Sequence, residues 1–159
     1  MQKQVKVSAP GKIILSGEHA VVYGYPAILA AIDRRLSVEV GKGKTPENFL
    51  DNKKLLEFAL SEINKNLGKR KNISYRIKID SQIPIGCGMG SSAAFAVALS
   101  AAVLRYYDKP WNLEKINEIA YGIEKKQHNN PSGGDNTISA YGAFFYIAKK
   151  QRPLKFFLP

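Results

Sequence analysis

Residues 93–104, AAFAVALSAAVL, carry no charge, and Ser100 is their only polar side chain. A helix that is apolar on every side has no face to give to water and must be buried. The run is too short to cross a bilayer, which takes about 20 apolar residues. It therefore suits a helix at the centre of a fold, running from Ser92 to about Tyr107 before Pro110 breaks it. Just ahead of it stands a glycine-rich loop, IPIGCGMGSS.

The flanking chain supplies layers to cover such a helix. Val5 and Val7 alternate with polar residues as in a strand, and a second apolar run, Ile13-Ile14-Leu15, follows the Pro10-Gly11 break. Gly17, Gly24 and Pro26 punctuate a loop-rich stretch. Leu36, Val38 and Val40 read as a strand, and residues 41–48 as a loop. From 51 to 67, Leu55, Leu56, Ala59, Leu60 and Ile63 fall at helical spacing, with Gly68 just past the end. Ile73, Tyr75, Ile77 and Ile79 alternate as a strand. Asn112 can cap a helix over 113–126 whose apolar face is Ile116, Ile119, Ala120 and Ile123. QHNNPSGGDN is a polar turn region, and 141–147 reads as a final strand. The order predicts an α+β fold, with residues 1–159 as one domain.

The chain has 159 residues, 45% hydrophobic and 23% charged, a globular balance. Its net charge of +11 could attract nucleic acid, anionic membrane or phosphorylated small molecules. The positive residues are densest at Lys65, Lys69, Arg70, Lys71, Arg76 and Lys78, and at Lys149, Lys150, Arg152 and Lys155. No helix-turn-helix, zinc finger or RNA-recognition aromatic pattern accompanies them, so a solvated basic face is expected, with no nucleic-acid partner. No membrane partner is expected either. The first residues lack the apolar core of a secretory signal, and Cys87 is the only cysteine. Both point to a reducing cytoplasm.

Three segments carry candidate chemistry. In the first, Gly86, Gly88 and Gly90 let the backbone approach a ligand, and the helix start at Ser91, Ser92 and Ala93 offers N–H groups and a positive dipole end to phosphate. The bare motif fits a structural turn equally well. It is no Walker loop, since no lysine follows the last glycine, and it lacks the acidic partner of a dinucleotide-binding turn. In the second, Glu124 precedes Asp135 by eleven positions, with Pro131-Ser132-Gly133-Gly134 as a tight turn between. One carboxylate could hold Mg²⁺ and the other face an acceptor hydroxyl; a surface loop beside an ordinary helix cap is the plain alternative. In the third, Lys12 and the Glu18-His19 pair could line a charged cleft, with Lys12 on a phosphate oxygen or beside an aspartate. His19 taken alone reads more simply as a satisfied buried imidazole.

Taken together and in order, these segments resemble one family. SAPGKIILSGEHAVVYGYPAILAAID resembles the amino-terminal signature of mevalonate kinases. IPIGCGMGSSAA resembles the phosphate loop of their superfamily, the galactokinase/homoserine/mevalonate/phosphomevalonate (GHMP) kinases. EKKQHNNPSGGDNTISAYG resembles the family's Pro-Ser-Gly-x-Asp-Asn stretch. The resemblance implies a GHMP-kinase amino-terminal domain of ribosomal protein S5 domain 2-like fold, a mixed sheet packed with helices, without the family's carboxy-terminal domain. It implies ATP and Mg²⁺ as cofactors and mevalonate as substrate. Gly86, Gly88, Met89, Gly90, Ser91, Ser92 and Ala93 would cradle the ATP phosphates. Ser92 (or Ser91) would share Mg²⁺ with Glu124. Asp135 would accept or orient the hydroxyl proton of mevalonate, while Lys12 keeps Asp135 charged and steadies the moving phosphoryl group. Glu18 and His19 would position mevalonate, with Tyr141 as a further substrate-side residue. Family members are roughly twice this long, so the resemblance also implies a separate carboxy-terminal half chain or a homodimer as partner. Met89 for Leu, Asn129 for Gly and Gly134 for an apolar residue are this chain's departures from the family pattern.

Overall fold

The computed structural model describes residues 3–18, 23, 25–44, 53–68, 75–127, 131–147 and 154–156. In chain order their elements are β1 (Gln4–Ser16), β2 (Ala27–Lys42), α1 (Lys53–Asn66), β3 (Tyr75–Ser81), α2 (Ser91–Tyr106), α3 (Leu113–Gln127), α4 (Gly134–Tyr141), β4 (Phe144–Ile147) and β5 (Leu154–Phe156). The expected α+β class is observed, and each pairing in the sheet described is antiparallel.

β2 is the spine of the sheet. It pairs with β1 along nearly its whole length, with β3 along its second half and with β4 at its start, and β4 in turn carries β5. The Pro10-Gly11 break that divides the first apolar runs does not end the strand. β1 continues through it, and the register jumps from Pro10 opposite Arg35 to Gly11 opposite Ile32. A proline has no ladder N–H to give and is tolerated at an edge or a bulge, and β1 is an edge strand with its irregularity at that point.

The uncharged run is buried as expected: every α2 residue from Ala93 to Leu104 is at most 8% exposed. One side of the sheet gives it Leu36, Val38, Val40 and Ile77. α1 and α3 close the core with Leu56, Ala59 and Ile63, and with Ile116, Ile119, Ala120 and Ile123. Asn112 caps α3, its Oδ1 accepting from the Lys115 amide at 2.9 Å. Tyr75 donates its hydroxyl to Asn64 Oδ1 at 2.8 Å, tying β3 to α1, and burial pushes that hydroxyl well above the usual tyrosine range. A second, smaller cluster of Ala27, Leu29, Ile138 and Phe145 lies where β2 meets β4 under α4.

Several elements differ from the sequence expectation; β2, read as a strand only around 36–40, begins at Ala27. The polar turn region gives way to a helix at Gly134, so α4 holds Asp135 in its first turn and Tyr141 in its last, and the final strand starts at Phe144 rather than 141. β5 was not foreseen. Glycine, Asn, Thr and Ser are poor interior helix formers, so local propensity hides an eight-residue helix that exists through its packing. Among the described residues no helix is long and apolar enough to cross a membrane.

Candidate functional site

The loop from β3 to α2 reverses its path through glycines at alternate positions. Gly86, Gly88 and Gly90 have φ of 76°, 70° and 72°, a region where a side chain costs about 1–2 kcal/mol per residue. At Gly86 and Gly88 an added Cβ would meet only open space, so what calls for glycine there is the backbone conformation. Gly90 is different. It is the N-cap of α2, and a Cβ there would stand 2.9 Å from Cγ of Lys12. No side chain caps α2, which leaves its first-turn amides to other partners; Ser91 and Ser92 in that turn are partly accessible, and Ala93 is buried.

β1 is fastened to this helix mouth. The Lys12 amide donates to the Met89 carbonyl at 3.0 Å, and a Cβ on Gly11 would strike the same carbonyl oxygen at 2.9 Å. Gly11 and Gly90 together let β1 close on the loop, which lays the Lys12 stem along Gly90. The Lys12 ammonium then meets Asp135 Oδ2 at 3.1 Å. The lysine side chain is 7% exposed and the aspartate 38%. A buried ammonium needs a partner, and here its partner keeps one side open to water. The cation, the helix mouth and the half-open carboxylate therefore share one corner of the fold.

Asp135 owes its place to contacts that sequence reasoning missed. Gly133, at φ 79°, starts α4, and the Ser132 hydroxyl accepts from the Gly134 amide at 3.2 Å. The next residue, Asn136, is buried and donates to Asn117 Oδ1 on α3 at 2.6 Å. Thr137 donates its hydroxyl to the Gly133 carbonyl at 2.7 Å. The first turn of α4 is thus clamped to α3, the helix that carries Glu124. Short polar residues straight after Asp135 were the available signal for this clamp.

Glu124 lies near the end of α3 at 3% exposure. Its carboxylate and the Ser91 and Ser92 hydroxyls are hard oxygen donors of the kind Mg²⁺ takes, and that ion commonly uses one or two carboxylates plus substrate phosphates. The described residues hold no cluster of three or more His, Cys, Asp or Glu, so the protein's share of such a site would be these few oxygens. Glu18 sits exposed in the turn after β1, and His19 lies outside the described residues. Tyr141 is not beside Asp135. It is six residues on, about 9 Å along the helix axis, and its ring packs 6.1 Å from that of Phe145. Its backbone carbonyl accepts from Lys155 Nζ at 3.3 Å. Tyr141 also lines a 610 Å³ cleft with Asn117, Thr137 and Lys155 that includes none of the loop residues, Lys12 or Asp135.

Comparison with known proteins gives the same frame. The chain is 39% identical over 163 residues to the mevalonate kinase of Archaeoglobus fulgidus, covering 95% of this chain and 56% of that protein. It is 37% identical to the mevalonate kinase of Pyrococcus abyssi, covering 92% of this chain and 52% of that one. It thus spans about half the length of the curated relatives it matches. Among solved structures, the Methanococcus jannaschii mevalonate kinase superposes with a TM-score of 0.84 at 29% identity, over 97% of this chain and 56% of that one. The L. major mevalonate kinase in complex with R-mevalonate gives 0.76 at 26% identity, over 97% and 54%. Residues 53–143, more than half of the chain, match the family described as GHMP kinases N terminal domain, and the chain belongs to that family.

Proposed function

We propose that this chain is the amino-terminal, nucleotide-holding half of a mevalonate kinase: a domain over residues 1–159 that acts, together with a carboxy-terminal half, in the cytoplasm. The reaction is transfer of the γ-phosphoryl group of ATP to the primary hydroxyl of (R)-mevalonate, giving 5-phosphomevalonate and ADP. One observation carries the reading: the Lys12–Asp135 pair at 3.1 Å, locked by the Lys12–Met89 bond to the uncapped mouth of α2.

Phosphoryl transfer needs alignment and charge neutralisation more than covalent participation by the protein. Backbone amides from Gly86 to Ala93 hold the triphosphate at the positive end of α2. Lys12 places a fixed positive charge where the equatorial oxygens of the moving group gather charge. Asp135, with its open side, accepts a hydrogen bond from the mevalonate hydroxyl and turns its oxygen toward the phosphorus; as the new O–P bond forms and the bond to the ADP oxygen breaks, the hydroxyl proton passes to that carboxylate. Glu124 and Ser92 would hold Mg²⁺, which neutralises the phosphate oxygens when bound. Glu18 and His19 would position the acceptor, whereas the packing of Tyr141 against Phe145 favours a supporting place for that residue.

The test is ADP release coupled to a reporter, with mevalonate as acceptor, run on this chain with and without a carboxy-terminal half. Turnover is expected only in the combined arrangement, and its absence in both defeats the reading. In the active arrangement Asp135→Asn is expected to cut kcat by about 10²-fold or more while nucleotide still protects the chain from thermal unfolding. Retained kcat removes Asp135 from the mechanism. The half-length span favours a second reading, a nucleotide-binding half with no turnover of its own. Nucleotide protection of this chain, with no ADP released in any arrangement, identifies that case.

A further inference from the structure

Three polar residues of α3 fall on one strip of its surface. Asn117, Tyr121 and Glu124 stand at i, i+4 and i+7, within about 60° of arc around the helix. Ile116, Ile119, Ala120 and Ile123 interleave with them and are buried in the main core with α2. The strip therefore cannot turn or slide without opening that core.

The Asp135 turn is fastened to this strip on both of its sides in sequence. After Asp135, Asn136 Nδ2 donates to Asn117 Oδ1 at 2.6 Å, and Asn117 Nδ2 donates to Thr137 Oγ1 at 3.4 Å. Before it, the Tyr121 hydroxyl donates to the Pro131 carbonyl at 3.4 Å. A Cβ on Gly133 would stand 3.5 Å from the Tyr121 ring, so the ring lies against the turn itself, and Lys125 Nζ stands over that ring 4.5 Å from its centroid. Thr137 joins the two sides through its 2.7 Å bond to the Gly133 carbonyl. All of these bonds fall on the neighbours of Asp135; its carboxylate is left to Lys12 and to solvent.

Packing alone does not ask for this arrangement. Asn136 is 2% exposed, and a buried amide is costly unless it is paired. A hydrogen bond fixes direction as well as distance, and a satisfied buried network specifies one geometry where an aliphatic contact allows several. We propose that Asn117 and Tyr121 are positioning residues for the reaction: they hold the Asp135 turn to the same strip of α3 that carries Glu124, so the carboxylate that faces the acceptor and the carboxylate that faces the metal keep a fixed separation. The proposal rests on the reading above for the roles of Asp135 and Glu124. Asn117 contributes more, through its short bond to a buried partner; Tyr121 contributes chiefly its ring, because its hydroxyl bond is long.

The experiment compares the wild type with Asn117→Ala, Asn136→Ala, their double variant, Tyr121→Ala and Tyr121→Phe. Coupled ADP release with ATP, Mg²⁺ and mevalonate, in the presence of a carboxy-terminal half, gives kcat and KM. Amide exchange and thermal unfolding are read on the 159-residue chain alone. Asn117→Ala is expected to lower kcat about 30-fold or more, the scale of a small misplacement of a reacting group, with KM for ATP and nucleotide protection unchanged. Tyr121→Ala should lower kcat about 10-fold, and Tyr121→Phe should stay within about twofold of the wild type. The double variant should lose no more kcat than Asn117→Ala, because both changes remove the same bond. On the chain alone, the Thr137 amide should exchange about 10-fold faster in Asn117→Ala while the α2 amides keep their rates.

The inference is overturned if Asn117→Ala keeps its kcat or loses it only in proportion to the folded fraction, if the two losses add in the double variant, or if Thr137 exchange is unchanged. Should Asn117→Ala fail to fold, Tyr121→Ala decides, since it leaves Asn136 and its acceptor in place; an unchanged kcat there overturns the inference. A wild type without turnover in any arrangement defeats the kinase reading instead, and the Thr137 exchange rate then still shows whether Asn117 holds the turn.

Discussion

Where β2 pairs with β3, the sheet lays Leu36, Val38, Val40 and Ile77 on α2, with α1 and α3 behind it; where β2 pairs with β4, Ala27, Leu29, Ile138 and Phe145 make a much smaller cluster. The first half buries a helix that is apolar all round, and nothing in it beyond packing is needed to explain its residues. The second half borders the Lys12–Asp135 pair and exposes aliphatic side chains on its outer face. Two ion pairs, one just before β1 and one within it, repeat the contrast. Lys3 meets Asp108 at 2.6 Å with both side chains in water, whereas Lys12 meets Asp135 at 3.1 Å with the lysine 7% exposed. Solvent screens the first pair; the second is held by the fold and is available to a ligand only through the aspartate's open side. One half of the molecule makes stability, and the other positions charge.

That contrast can be broken by mutation. The largest effect is expected for Leu99→Ala in the middle of α2, fully buried: about 4 kcal/mol, read from the urea midpoint. Leu29→Ala in the smaller cluster should cost about 2–3 kcal/mol, because a satellite core with an open neighbouring face collapses more readily around a cavity. Equal costs for the two would show the halves to be equally well packed. Gly90→Ala should cost about 1–2 kcal/mol for its left-handed backbone, and its Cβ would push on the Lys12 stem. Its sharper readout is nucleotide protection, which should fall by more than the stability loss explains. The smallest effect belongs to Asp108→Asn. The Lys3 hydrogen bond holds the Asp108 carboxyl below its usual range. That contribution to stability is present at neutral pH and lost as pH falls through the lowered value. The variant should therefore lose little at pH 7 and differ still less from wild type in acid. A large loss at neutral pH would mean that this exposed pair does more than its solvation allows.

Much of the frame was readable from residue order. The alternation in 36–40 and 75–79, the helical spacing in 55–63 and 116–123, and the Asn112 cap each reappear as a face or a cap, because each reports which side of one element must leave water. β1 was legible as two apolar runs and not as one strand, since the residues that bridge Pro10-Gly11 are set by a register jump in its partner. α4 and β5 were not legible. A Gly-Asp-Asn-Thr-Ile-Ser segment reads as a turn until Asn117, on a different helix, is there to accept from Asn136. At the candidate site, Lys12, Asp135, Glu124 and the glycine loop could each be singled out by chemistry, but their mutual distances could not, because each lies on a different element.

Sequence alone determined that residues 93–104 had to be buried, that the glycines ahead of them could adopt backbone shapes closed to other residues, and which side chains could carry charge to a phosphate. These follow from solvation and from steric limits on single residues, which need no knowledge of the rest of the chain. Only the tertiary structure decided that β1 closes on the loop at Gly11 and Gly90, that the Lys12 ammonium therefore reaches Asp135, and that Ile13, Leu15 and Leu154 stay exposed. Those facts depend on crossings between elements distant in sequence, where the position of one backbone is fixed by the atoms another backbone lacks.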